Sequence, residues 1–227
     1  MLIPAIYFSV KMNKLTASGA FTGGLIACFI FMGAGFTGIA MIGFFFLSGT
    51  LATSWKMNAK KLLGAAERNK GRRTASQVFA NGGIAGMAGL LSWLLPEYGP
   101  LLQLMMAASL ASATADTLSS ELGTLYGKRF YNVLSFKPDR RGDNGVISLE
   151  GTLLGIAGSL LIGLIYVTGF GWSNHFIIIV IAGTTGNIVD SLLGATLEKK
   201  QFIKNDAVNF LNTLVAACLA CLIAKLI

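Results

Sequence analysis

Two carboxylates stand where a carboxylate is expensive. Asp116 lies in the run ASLASATADTLSSELG and Asp190 in AGTTGNIVDSLLGAT. A charge at the centre of a membrane-spanning helix costs about 2.5–3.5 kcal/mol on insertion scales. An acid kept at such a place marks a functional site by default. Glu121 follows near the end of the segment that carries Asp116. Polar residues recur around these acids at helical spacing. Ser109, Ser112, Asp116 and Ser119 or Ser120 fall three and four apart, one stripe on one helix face. Gly183, Asn187, Asp190 and Gly194 make a second stripe, with Ser191 beside it. Gln77 and Asn81 lie four apart ahead of Gly82 and Gly83, and Asn205 or Asp206, Asn209 and Asn212 line up in the last segment. Any one Ser or Asn in a membrane helix often only bonds a neighbouring helix, and Gly151, Gly155 and Ser159 read as packing positions of that kind. Carboxylates with amide oxygens, taken together, form a hard all-oxygen environment that suits Mg²⁺. Lys and Arg at its mouth suit phosphate. That combination is what phosphoryl transfer requires.

Such residues need a scaffold that buries them in lipid. Of the 227 residues, 54% are hydrophobic and 12% charged, too few charges to cover a soluble protein, which carries about 25%. The 28 glycines suit close helix packing in a bilayer. A span needs about 20 apolar residues. Segments near 16–34, 36–54, 75–95, 99–122, 146–168, 175–197 and 207–226 qualify, with Gly33, Gly35 and Gly38 at the turn between the first two. The expected fold is all-α: a polytopic transmembrane bundle of six to seven spanning helices plus a short N-terminal helix, in one domain over 1–227. The start, MLIPAIYFSVK, is too short to span and reads as interfacial or tilted.

The net charge of +8 would raise nucleic acid as a partner for a soluble chain. Here the basic residues gather in loops, which reads as topology and excludes nucleic acid. Lys56, Lys60, Lys61, Arg68, Lys70, Arg72 and Arg73 share one segment with the single acid Glu67. Lys128, Arg129, Lys137, Arg140 and Arg141 share another; Lys199, Lys200 and Lys204 follow the sixth span, and Lys11 and Lys14 precede the first. Alternating spans put all these groups on one side, which the positive-inside rule assigns to the cytoplasm. Glu97 and Asn174–His175 fall on the other side, with Lys225 the one basic residue there. Asn81, Asp116, Glu121, Asn187, Asp190 and Asn209 then share the cytoplasmic half of their spans and converge on a pocket opening toward the basic loops. Cys28, Cys218 and Cys221 lie in apolar runs and read as core thiols.

Motifs of soluble enzymes fail. Gly33-Ala-Gly35-Phe-Thr-Gly38 matches GxGxxG only on paper, since no strand precedes it and no acid follows at the expected distance. A GxxxxGK[ST] loop is absent, and His175 has no Ser–Asp pair on its side.

The order of motifs carries a resemblance. Asn81-Gly82-Gly83 is followed by Asp116-Thr-Leu-Ser-Ser-Glu121-Leu-Gly123, then Gly142-Asp143-Asn144-Gly145-Val-Ile-Ser-Leu-Glu150-Gly151-Thr152. Gly186-Asn187-Ile-Val-Asp190-Ser-Leu-Leu-Gly194-Ala195 and Asn205-Asp206-Ala-Val-Asn209-Phe210 complete the series. From about Lys14 onward the chain resembles the integral membrane family called domain of unknown function 92, which includes plant phytyl-phosphate kinases and animal transmembrane protein 19. The resemblance implies a membrane-embedded lipid-phosphate kinase that passes the terminal phosphate of a nucleoside triphosphate such as CTP to a phytyl or prenyl monophosphate. It implies Mg²⁺ as cofactor, held with the nucleotide by Asp116, Glu121 and Asp190. Asn81, Asn187 and Asn209 would orient metal or phosphate, and Asp143 and Asn144 would close over them from a Gly-flanked loop. Lys56, Arg72 and Arg73 would hold phosphates at the mouth, a role that rests more on charge than on the motifs. The expected partners are the nucleoside triphosphate, a lipid monophosphate and membrane lipids, with oligomeric state left open. The alternative is a transporter or lipid flippase that uses the same acids for an ion or headgroup. Depth separates the two, since a transporter wants its site near the midplane.

Overall fold

Apolar runs rich in Gly and Ala, with few prolines to break them, form α1 (Leu2–Lys11), α2 (Ala17–Ser54), α3 (Met57–Leu62), α4 (Ala75–Leu94), α5 (Gly99–Tyr126), α6 (Leu149–Phe170), α7 (His175–Leu193) and α8 (Asn205–Leu226). The computed structural model describes residues 2–63 and 72–227. Glu67, Arg68 and Lys70 of the basic segment lie outside the described residues. Local chemistry sets several starts. The Thr16 hydroxyl accepts the Gly19 N–H at 3.0 Å, Ser148 accepts that of Gly151 at 3.1 Å, and Thr74 with Gln77 forms a capping box.

Among the described residues, five segments are long and apolar enough to cross a membrane: Ala17–Ser54, Pro96–Tyr126, Leu149–Phe170, His175–Glu198 and Asn205–Leu226. The chain is a multi-pass helical membrane protein. The number is below the six to seven expected, for two reasons. Gln77, Asn81 and the glycines of α4 leave its 20 residues short of the apolar mark. The expected spans 16–34 and 36–54 form one 38-residue element, α2.

That element is a hairpin. Gly35 has φ 56° and ψ −143°, a conformation open to glycine. Beyond it the helix runs back on itself. Residues 30 and 38 would lie about 12 Å apart along a straight helix, yet a Cβ on Gly38 would sit 2.6 Å from Ile30 Cγ2. Lys14 Nζ donates to Ser54 Oγ at 2.8 Å, joining the two open ends of the hairpin. The arm 17–34 packs on α4 so tightly that a Cβ on Gly33 would land 2.1 Å from the Gly89 carbonyl oxygen. Close backbone approach of this kind stands in for the hydrophobic driving force that lipid does not supply.

Helix α5 is the axis of the bundle and contacts α2, α4, α6, α7 and α8. Enclosure on all sides admits only small or well-packed side chains. Its residues Met106 to Ala115 are at most 1% exposed, and five of those ten are Ala. Large apolar side chains instead point outward, Phe21 and Phe36 each at 74% exposure, as a lipid-facing surface permits. Cys28 and Cys218 are also exposed and Cys221 is half-buried, so they are not core thiols. Small residues already fill the core seams, which leaves these thiols to the lipid face.

The two ends of the bundle differ. One gathers the backbone pairing of Arg73 with Lys14 and Thr16, the Trp55 Nε1 to Tyr126 Oη bond of 2.7 Å, and the Ser76–Asp206 hydrogen bond. The starts of α2, α4, α6 and α8 and the finishes of α2, α5 and α7 therefore share this end, with the basic segments. The other end holds the Gly35 turn, the Pro96–Tyr98 turn and the α6–α7 connection. The 127–148 connection contains a feature that a purely helical expectation lacks. Tyr131–Asn132 pairs antiparallel with Val146–Ile147 in a short ribbon.

Candidate functional site

At the basic end a cavity of about 410 Å³ opens among α4, α5, α7 and α8. Asp116 reaches it from α5, Asp190 from α7, Asn81 from α4 and Asn209 from α8. Arg73, just ahead of α4, lines the same space. The two aspartates share the wall of this space, near enough for their charges to interact. Each is also held from behind. Ser120 Oγ donates to Asp116 Oδ1 at 3.4 Å. Asn212 Nδ2 donates to Asp190 Oδ1 at 2.6 Å, and Asn212 Oδ1 accepts Ser112 Oγ at 3.0 Å. Ser112 and Asn212 are fully buried, so this chain of bonds through α5, α8 and α7 fixes the Asp190 carboxylate without access to water. Two mutually facing carboxylates with nearby amides fit a cation held by one or two protein acids and completed by phosphate oxygens and water, the habit of Mg²⁺.

Glu121 lines the cavity but has another partner. Lys60, 1% exposed, forms an ion pair with it. The same ammonium donates to the Ala52 and Thr53 carbonyls at 2.6 and 3.3 Å. It thus also satisfies the last carbonyls of α2, as a cation at a helix C-terminus does. Among the described residues, no three Asp, Glu, His or Cys side chains are placed to hold one metal ion. The expected set of Asp116, Glu121 and Asp190 therefore does not form as a trio. Five residues of α-helix turn a side chain by about 140° and raise it by about 7.5 Å. Glu121 accordingly meets α3 while Asp116 meets α7.

The mouth is made by the 127–148 connection. Asp143 and Asn144 line the cavity between Gly142 and Gly145, both at positive φ. Their loop is seated rather than hanging. A Cβ on Gly145 would fall 2.2 Å from the Cβ of Ala195 in the π-helical turn Gly194–Glu198. Val133 N–H donates to the Gly145 carbonyl at 2.9 Å.

Comparison with known proteins agrees with the motif order. The model of the family described as integral membrane protein DUF92 matches residues 1–217. The chain belongs to this family. Protein VTE6, chloroplastic, of Arabidopsis thaliana is 30% identical over 234 residues, which cover 100% of this chain and 70% of that protein. The uncharacterized membrane protein MJ0933 of Methanocaldococcus jannaschii is 30% identical, over 98% of this chain and 92% of its own. Protein PGR of Arabidopsis thaliana is 27% identical, over 86% and 75%. No solved structure matches.

Three of the residues singled out in this DUF92 chain do not reach the cavity. Lys56 has left-handed backbone (φ 46°) and lays its ammonium over the Tyr126 ring, 5.2 Å from the centroid. Arg72 Nε donates to the Leu15 carbonyl at 3.2 Å, pinning the α1–α2 linker. Asn187 is 7% exposed and wedged against α6, where a Cβ on Gly155 would lie 2.6 Å from its Nδ2. Lys56 and Arg72 spend their charge on holding elements together, and Asn187 packs against α6. Conversely, Lys60 and Glu198 line the cavity and were not singled out. Lys60 is hidden in a basic run that reads as topology. For Glu198, the acid eight residues after Asp190, the only signal is that spacing, and the π turn changes its phase.

Proposed function

We propose that this DUF92 protein is a membrane-embedded lipid-phosphate kinase, transferring the terminal phosphate of a nucleoside triphosphate to a prenyl or phytyl monophosphate. The observation that carries the reading is the Asp116–Asp190 pair, facing across a polar cavity that Arg73 also lines. The motif resemblance to plant phytyl-phosphate kinases supports it, as does the cavity's position at the basic end. That end faces the cytoplasm in this reading, where nucleotides are available.

The lipid monophosphate oxygen attacks the γ-phosphorus in line. A P–O bond forms there as the bond to the β-phosphate oxygen breaks, and the nucleoside diphosphate leaves. No covalent enzyme intermediate and no redox change is involved. Asp116 and Asp190 would hold a Mg²⁺, which would supply charge neutralisation for the transferred phosphate. The protein's own part is positioning. Arg73 holds the acceptor phosphate, and Asn81 and Asn209 orient phosphoryl oxygens. Asp143 and Asn144 border the nucleotide at the mouth. Lys60 keeps the Glu121 carboxylate paired at the edge of the cavity.

The test is direct. Purified protein in detergent is given γ-labelled CTP or ATP, Mg²⁺ and a panel of prenyl and phytyl monophosphates. Labelled lipid diphosphate, lost with Asp116→Asn in folded protein, is the expected result. Absence of transfer with every pair would overturn the kinase reading and move weight to transport. The crowding of polar lining at one end, rather than at mid-membrane, favours the enzyme.

A further inference from the structure

A second cavity, of about 220 Å³, lies between the two arms of the α2 hairpin and α4. Its walls are apolar, among them Ile26, Ile39, Ile42 and Phe46. Arg73, Gln77 and Asn81 line it as well, and the same three residues line the polar cavity. The two spaces thus meet at one guanidinium and two amides. Arg73 is held there from several directions. Its backbone N–H and C=O pair with Lys14 and Thr16, and its guanidinium lies 5.4 Å from the Phe45 ring centroid. Gly49 makes room for it, since a Cβ there would come 2.7 Å from Arg73 Nη2.

An apolar slot ending at a fixed cation, beside a pair of acids, has the polarity of a single-chain lipid monophosphate. We infer that the α2 hairpin cavity is the acceptor-chain site, with the lipid phosphate at Arg73 and its first isoprenoid units between the arms. This rests on the kinase reading and adds to it where the substrate lies. The slot runs from Ala20 to Ala27 along one arm, about 10 Å at the helical rise. One leaflet of hydrocarbon is about 15 Å deep. Recognition is therefore confined to the units nearest the phosphate, and the rest of a long chain lies in the bilayer. Chains that share their first units are taken equally well whatever their total length.

Gly43 gives the means to test it. It lines the slot, and a Cβ built on it meets nothing within 4 Å. Gly43→Phe therefore fills the space that the chain would occupy, and Gly43→Ala leaves it nearly open. Gly43→Phe is expected to raise KM for a long-chain isoprenyl monophosphate by about tenfold or more, with KM for the nucleotide and KM for a single-isoprene monophosphate within about twofold. Gly43→Ala, which takes little of that space, is expected to raise the long-chain KM less than Gly43→Phe does. Unchanged KM for the long chain in folded Gly43→Phe would overturn the assignment.

A second readout does not depend on turnover. A long-chain isoprenyl monophosphate with a diazirine on its first unit is photolysed with wild-type protein and with Asp116→Asn, and the labelled peptides are mapped. Labels in 17–34, 36–54 and the first half of α4 are expected in both. Labels confined to α6 or α7 would overturn the assignment. Labels in the hairpin without phosphate transfer would keep the chain site and sink the kinase reading; transfer with labels elsewhere would do the reverse.

Discussion

The two ends of the bundle spend their polar groups differently. At the far end, Ser92 Oγ and Gln103 Nε2 both donate to the Gly33 carbonyl, at 3.1 and 2.7 Å, and Tyr166 Oη bonds His175 Nδ1 at 2.8 Å. These groups close seams between helices, and each bond answers a backbone or side-chain need at the Gly35 turn or the α6–α7 connection. At the basic end, part of the polar set does the same work: Lys60 and Arg72 hold elements together, while Asn187 is packed against α6. The remainder, Asp116, Asp190, Asn81, Asn209 and Arg73, lines the cavity. A buried polar group that ties helices together explains itself. One that also borders a cavity is open to a ligand as well, and that difference separates site from scaffold.

Breaking the comparison starts where the effect is largest. Asp116→Asn and Asp190→Asn are each expected to lower turnover by about 10³-fold or more, with an unchanged elution profile and thermal midpoint in detergent. Near-normal turnover in both would remove them from the site. Arg73→Gln comes next, with kcat/KM for the lipid acceptor down by about 10²-fold and nucleotide KM little changed. Lys60→Met tests the scaffold half of the same end. It strands Glu121, and should cost about 3 kcal/mol of stability, read as a lower unfolding midpoint. The double variant Lys60→Met/Glu121→Gln should recover most of that, and a double variant no better than the single would show that Lys60 acts otherwise. The smallest effect belongs to the far end. Gln103→Leu should cost about 1 kcal/mol and leave turnover alone; a loss of turnover there would blur the contrast between the ends.

Much of this contrast was legible before any coordinates. Runs of apolar residues showed the helices, three closely spaced glycines placed the hairpin turn, and the polar stripes pointed to Asp116, Asp190, Asn81 and Asn209. What stayed hidden follows from the resolution of a stripe. Residues three apart on a helix differ by about 60° in direction. That angle separates Asn187, packed on α6, from Asp190, aimed at the cavity, and only the positions of neighbouring helices decide which member of a stripe opens inward. Lys60 was hidden by composition, since a buried lysine and a topological one look alike in a basic run. The three-acid metal set failed for the same angular reason as Asn187. The small ribbon at Tyr131–Asn132 is too short to leave a periodic trace.

The hairpin turn at Gly35 also bears on how the protein enters the membrane. From Leu15 to Trp55 the chain carries no Asp, Glu, Lys or Arg, so both arms and their tip cross without moving a charge through the hydrocarbon. Lys14 and Lys56 bracket the segment as matching anchors on the side that does not cross. A tip of Gly, Ala, Phe and Thr that reverses within a residue or two leaves almost no polar loop to translocate. The two arms can therefore insert together as one unit, already paired, and offer α4 and α5 a finished surface on which to assemble.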